Sequence, residues 1–262
     1  MTGSCALCGN YGTLLDSHFM PAAFYPELND PAGPIKHMIV MTRKGTFQSP
    51  EQFHMPLLCQ VCEVRFQQGG ENWALGMRYR SDGTFPLRDL LQGATPVNRN
   101  VATSVFNARS LSGVDVDRLL YFAASIFWRA GIANWTTKFA DSPKIDLRPE
   151  IMAKFADYLL GNGAFPRETS LNVLVASDAQ PQRAMICPIK AQETPFVRYE
   201  AHIPGMIFEL FVDAGPTYDT WSLNNAPERI VLTDMVTKRV LQIAGDIVPE
   251  SEPKGSLKKH LR

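Results

Sequence analysis

No run of 18 apolar residues occurs anywhere in the chain, so a membrane-spanning helix is not expected. There is no internal repeat and no low-complexity tract, and hydrophobic residues reach 45%, so collagen-like, coiled-coil and disordered chains are excluded. Neither sign of charge is in excess: 26 Lys and Arg are matched by 26 Asp and Glu. The basic surplus that marks many nucleic-acid binders is therefore missing, although a zero sum is compatible with a local basic patch. The first residues, MTGSCALCGN, have neither the basic nor the apolar segment of a secretory signal, so a cytoplasmic location is expected. What remains is an ordinary globular composition over 262 residues, enough for one large or two small domains.

Cysteine is scarce, five in all, and four of the five stand in two CxxC pairs, Cys5/Cys8 and Cys59/Cys62. In a reducing compartment this pattern reads as metal before disulfide. Each pair makes a tight knuckle with both sulfurs on one side, and two knuckles complete a tetrahedron around one zinc ion. Four thiolates leave no open position for water, so the site is structural. Buried free cysteines are the alternative; a redox pair is disfavoured because no βαβ pattern surrounds either motif. The gap between the pairs, 9–58, is longer than in a compact zinc ribbon.

The texture of the chain changes near residue 90. Residues 1–90 are rich in proline and glycine, poor in periodicity, and read as a small metal-stapled module; HMIVM (37–41) is a strand candidate. Residues 91–250 read as an α+β domain with two main helices and an antiparallel sheet of about five strands. The first helix is DVDRLLYFAASIFWRAGIANW, with Leu119, Phe122, Ala123, Ile126, Phe127 and Ala130 on one face and Asp115 or Ser112 as cap. The second is RPEIMAKFADYLLGNG, with Pro149 in its first turn and Gly161 or Gly163 at its end. LNVLVAS, RAMICPI, FVRYEAHI, MIFELFVDA and RIVLT read as strands, and IPGM (203–206) as a hairpin turn. The stretch FWRAGIANW resembles a base-stacking platform, but its helical spacing favours a core face. Cys187 and His202 read as structural. The tail 251–262, with Lys254, Lys258, Lys259 and Arg262, reads as a solvated end.

Between and after the cysteine pairs come Ser17-His18-Phe19-Met20-Pro21, then His54-Met55-Pro56-Leu57-Leu58-Cys59-x-x-Cys62, then Glu63 and Glu71. This order of features over residues 5–75 resembles the HNH endonuclease family, in particular a bacterial subgroup with CxxC, SHxxP and LLCxxCE. The resemblance implies a treble-clef, or ββα-metal, module and metal-dependent hydrolysis of DNA phosphodiester bonds, with bacterial defence as a setting. It assigns the general base to His18, with His54 at the position of the family's central Asn and Glu63 on the following helix. It implies a structural Zn²⁺ on Cys5, Cys8, Cys59 and Cys62, and a catalytic Mg²⁺ or Mn²⁺ on Asp16, Glu63 and Glu71.

Two departures stand out. The family's acidic residue before the histidine is Ser17 here, with Asp16 one place earlier, and the last helix histidine is absent. The pair Gly69-Gly70 also makes it open whether Glu71 lies on the helix or on a turn. Arg65, Arg78 and Arg80 are candidates for phosphate contacts. DNA is the expected partner, with RNA as a further one and no membrane. The zero net charge points to a dimer or an activating protein that helps hold the substrate. The competing reading is a catalytically inactive zinc-binding interaction module on the same scaffold.

Overall fold

The structure is a computed structural model that describes residues 1–29, 37–42, 45–137, 144–214, 222–247, 252–254 and 258. It begins with β1 (Thr2–Ser4) and β2 (Tyr11–His18), an antiparallel hairpin whose loop carries Cys5 and Cys8. Gly9 closes that loop at φ 74°, a left-handed conformation that glycine adopts without a steric penalty. A 3-10 segment (Ala22–Leu28) and a hairpin of β3 (Ile39–Thr42) and β4 (Gly45–Gln48) follow. This insertion accounts for the long gap between the cysteine pairs. The strand expected over 37–41 is present as β3, with His37 exposed just before it.

β5 (His54–Cys59) then returns to pair with β2, giving a three-stranded sheet in the order β1-β2-β5. β5 runs straight into α1 (Gln60–Phe66), so Cys59 ends the strand and Cys62 lies in the first helical turn. A π-helical turn (Gln67–Glu71) and α2 (Asn72–Met77) continue the same rod, and α3 (Pro86–Gln92) follows.

The second part opens with the short β6 (Asn98–Arg99) and β7 (Thr103–Asn107). The two expected helices are α4 (Val116–Ile132) and α5 (Pro149–Leu160). Asp115 caps α4 by accepting from the amide of Arg118, and Gly161 ends α5 at φ 78°. The five expected strands are β8 (Thr169–Ala176), β9 (Ile186–Gln192), β10 (Val197–Ile203), β11 (Met206–Val212) and β12 (Arg229–Thr233). A helix not anticipated, α6 (Met235–Ile247), comes after them.

The antiparallel expectation is corrected in one respect. The sheet has seven strands in the order β6-β7-β12-β8-β11-β10-β9, and β12 runs parallel to β8. β8 is buried along its whole length, as a central strand covered on both faces must be. The described tail residues, 252–254 and 258, are exposed as expected of a solvated end, but the amide of Lys254 donates to Thr46 O and the amide of Thr46 to Glu252 O, so residues 252–254 dock along β4. Lys259 and Arg262 lie outside the described residues.

α4 organises the molecule. It is buried on nearly every side, as a helix with apolar residues all round must be. Phe122 stacks on Phe24 of the 3-10 segment at 5.8 Å and meets Phe208 of β11 edge-on at 5.6 Å. Phe127, Trp128 and Trp135 are fully buried, so FWRAGIANW is a core face. One hydrophobic core therefore runs from Cys5 and Leu7 through α4 to the large sheet.

The α1–α2 rod crosses α4 at Gly69-Gly70. A Cβ at Gly70 would lie 2.5 Å from the carbonyl oxygen of Arg118 and 2.6 Å from the amide of Phe122. The glycine pair does not break the helix; it lets the two backbones touch. The π turn adds one residue locally, a feature that recurs at functional sites, and it carries Glu71.

Candidate functional site

The four CxxC cysteines come together. One ligand atom from each of Cys5, Cys8, Cys59 and Cys62 lies within 4.8 Å of the others. Cys8 Sγ and Cys59 Sγ are 3.8 Å apart. A zinc tetrahedron with Zn–S bonds of about 2.3 Å has edges of about 3.8 Å, so the thiols fit such an ion with little movement. The Cys59 amide donates to Cys5 Sγ at 3.4 Å. Burial opposes ionisation of the Cys5 thiol, but backbone amides at Cys8, Cys59 and Leu7 outweigh it and bring its pKa down to about 7. These four cysteines can hold a metal ion such as zinc. Among the described residues, no other group of three or more His, Cys, Asp or Glu side chains is drawn together closely enough to do so.

Beside this knuckle opens a cleft of about 470 Å³, walled by β2, the 3-10 segment, α1, the π turn and α4. Asp16, His18, Glu63, Gln67, Glu71 and Arg129 all line it. Asp16 and His18 share one face of β2 because they are two residues apart. Ser17 faces the other way: it is buried, and its Oγ accepts from the Leu58 amide at 3.1 Å. The serine that stands where the resemblance expects an acid is thus a strand staple, and Asp16 is the acid on the histidine's side. A register shift between Leu15 and Asp16 opposite Pro56 re-aims this end of the strand, the usual effect of a bulge.

His54 sits directly across from His18, with ring centroids 5.6 Å apart. Its Nδ1 donates to Asp16, at 2.9 Å to Oδ1 and 2.8 Å to Oδ2. His54, at the position of the family's central Asn, thus braces Asp16. His18 is less basic than a free imidazole, first through burial and then through the neighbouring His54. Glu63 Oε1 is buried without a hydrogen-bond partner among the described residues, an unusual state for a carboxylate oxygen and one that suits a hard cation. Glu71 is 5% exposed and its Oε1 accepts from Arg129 Nη2 at 2.6 Å.

The arginine candidates are corrected in part. Arg78 is 8% exposed, ion-paired with Glu27 at 2.7 Å and stacked over Phe24, so its guanidinium is held inside the fold rather than at the surface. Arg80 donates to the Gly76 carbonyl, and Arg65, on the surface, donates to the Leu160 carbonyl at 2.9 Å. Arg65 thus ties the end of α1 to that of α5, and Arg80 caps the end of α2. Sequence reasoning missed Arg129, which was absorbed into a core face. The signal was a lone charge inside the apolar run SIFWRAG.

Among the described residues, no helix is long and apolar enough to cross a membrane. Set against protein-family models, curated proteins and solved structures, the chain finds no match in any of the three.

Proposed function

We propose that this chain is a metal-dependent endonuclease of the HNH type that hydrolyses DNA phosphodiester bonds. The observation that carries the reading is the convergence of His18, Asp16 and Glu63 on one cleft beside the four-cysteine knuckle. The β-hairpin, returning strand and helix that bear these residues correspond to the treble-clef order the resemblance implies.

In this reading the roles divide cleanly. Structural Zn²⁺ on Cys5, Cys8, Cys59 and Cys62 fixes the junction of β5 and α1, and so sets the direction of Glu63, the next residue after Cys62. A bound Mg²⁺ or Mn²⁺ would neutralise the scissile phosphate and the leaving oxygen. Glu63, whose Oε1 has no partner among the described residues, would be a ligand to it. His18 accepts the proton of the attacking water. Asp16, oriented by His54, keeps negative charge near the histidine and stabilises the imidazolium as it forms.

A second reading, an inactive zinc-binding interaction module, is favoured by a specific observation. Asp16 is engaged by His54 and Glu71 by Arg129, so two of the three acids expected to hold the catalytic ion already have partners. Matched DNA and RNA substrates incubated with EDTA, Mg²⁺, Mn²⁺ or Ni²⁺ separate the readings. The nuclease reading expects cleavage of DNA that requires an added ion. Cleavage of RNA alone would change the substrate. Silence in every metal, from folded protein that keeps its zinc, would favour the interaction module.

A further inference from the structure

Arg129 has fewer partners than its chemistry demands. It lies within α4 and is 2% exposed. Nη2 is taken by Glu71 at 2.6 Å, and the guanidinium carbon sits 4.6 Å from the centre of the Phe66 ring. Nε and Nη1 are out of solvent and have no acceptor among the described residues. A guanidinium does not discharge itself by losing a proton, so three N–H groups, one on Nε and two on Nη1, remain desolvated and unmatched. Buried donors in that state are rare because they are costly.

The position of this residue is the second observation. Arg129 lines the cleft together with His18, Glu63, Gln67 and Glu71, and it is the one Lys or Arg among the residues that do. Three acids, Asp16, Glu63 and Glu71, share that wall. Against these acids, Arg129 is the permanent cation that an anion entering the cleft can meet. A guanidinium held away from water also acts through a low dielectric, where its field is weakly screened.

We propose that Arg129 is the phosphate-binding residue of the cleft. Its unpartnered nitrogens take a non-bridging oxygen of the substrate phosphodiester, and Glu71 holds the guanidinium in place from the other side. The proposal rests on the nuclease reading and deepens it. It also means that α4, from the second part of the chain, completes a site whose other members come from the first. Residues 1–90 and 91–250 then act as one enzyme, because the glycine pair lets α4 approach the α1–α2 rod closely enough to deliver this side chain.

The test uses the full chain and two probes. Inorganic phosphate, titrated in EDTA and followed by ³¹P line broadening, reads the anion site without catalysis. Bis(4-nitrophenyl) phosphate with Mn²⁺ reads hydrolysis. Arg129→Lys keeps the charge and loses the fork, and is expected to weaken phosphate binding about tenfold or more. Glu71→Gln keeps an acceptor for Nη2 and removes the competing charge, and is expected to tighten phosphate binding several-fold, which a merely structural ion pair would not do.

If wild type does not bind phosphate, or a folded Arg129→Lys binds it as well as wild type, the proposal is overturned. If Arg129→Lys does not fold, unchanged affinity in Glu71→Gln overturns it. His18→Ala separates the two claims: loss of hydrolysis there, with phosphate binding indifferent to Arg129, keeps the nuclease reading and removes this one. Phosphate binding that depends on Arg129, with no hydrolysis by wild type in any metal, keeps the anion site and removes the nuclease reading.

Discussion

Replacing Gly70 by alanine tests the contact on which the cleft depends. In an open helix this change gains up to about 1 kcal/mol, because alanine loses less backbone freedom. Here the new methyl would lie 2.5 Å from the Arg118 carbonyl oxygen, 2.6 Å from the Phe122 amide and 2.9 Å from Phe122 Cβ. Ordinary contacts are about 3.5–4.0 Å, so the two helices must part by roughly 1 Å. Two of the three neighbours are backbone atoms, which no change of rotamer can move. Overpacking costs about 1–3 kcal/mol, and a backbone clash belongs at the upper end; net of the propensity gain, Gly70→Ala should lose about 2 kcal/mol. Gly76 is the control. It lies in α2 of the same rod, and a methyl there meets nothing within 4 Å. Gly76→Ala should therefore be neutral or gain up to about 1 kcal/mol. Urea unfolding should separate the two variants by about 3 kcal/mol, and melting temperatures should diverge by several degrees. Equal stabilities, or stabilisation by both substitutions, would refute the close crossing.

Three further outcomes follow from the same structure. The purified chain should carry one zinc, lose it in Cys59→Ser, and release it on acidification as the thiols regain protons; a chromogenic chelator checks this, and a metal-free yet equally stable wild type would contradict it. Glu71→Ala should cost about 3–5 kcal/mol by leaving Arg129 buried without its counter-charge, and a loss under about 1 kcal/mol in urea unfolding would show that the pair is not buried in solution. Burial opposes ionisation of Glu200, but the adjacent His202 and Arg239 outweigh it and hold its pKa down at about 2. A depressed folded pKa gives stability that is present above the unfolded carboxylate range, near about 4.3, and is lost as the pH falls towards the folded value. Glu200→Gln should flatten the loss of stability between about pH 4.5 and 2, and an unchanged slope would count against the pairing.

The parts of the fold that were legible in the sequence rest on local signals. The apolar stripes of α4 and α5, the Asp115 cap, Pro149 and Gly161 depend only on helix geometry, and five strands declared themselves by β-branched runs between turn residues. The Ile203–Met206 hairpin needed only Gly205, whose φ is 82°. The parallel joint between β12 and β8 was not legible, because nothing local distinguishes a parallel partner from an antiparallel one. β7, with Thr103, Ser104 and Asn107, is too polar a run to announce a strand; it is held by β12. Gly69-Gly70 misled for a physical reason: glycine lowers helix propensity whether it marks a break or a close crossing, and only the neighbour decides. At the site, the cysteine set was readable because metal ligation fixes both residue type and spacing. Arg78 and Arg129 were not, since composition cannot tell a surface arginine from one buried against Glu27 or Glu71.

In the proposed function, the cleft beside the cysteine knuckle cuts phosphodiester bonds with His18 as base. Its most direct test is the rate at which supercoiled plasmid is nicked by wild type and by His18→Ala, in Mn²⁺ and in EDTA, with zinc content and melting temperature measured on the same samples. Wild type should nick in Mn²⁺ alone, and nicking should disappear in a variant that keeps its zinc and its fold. A His18→Ala protein that nicks as fast as wild type would contradict it.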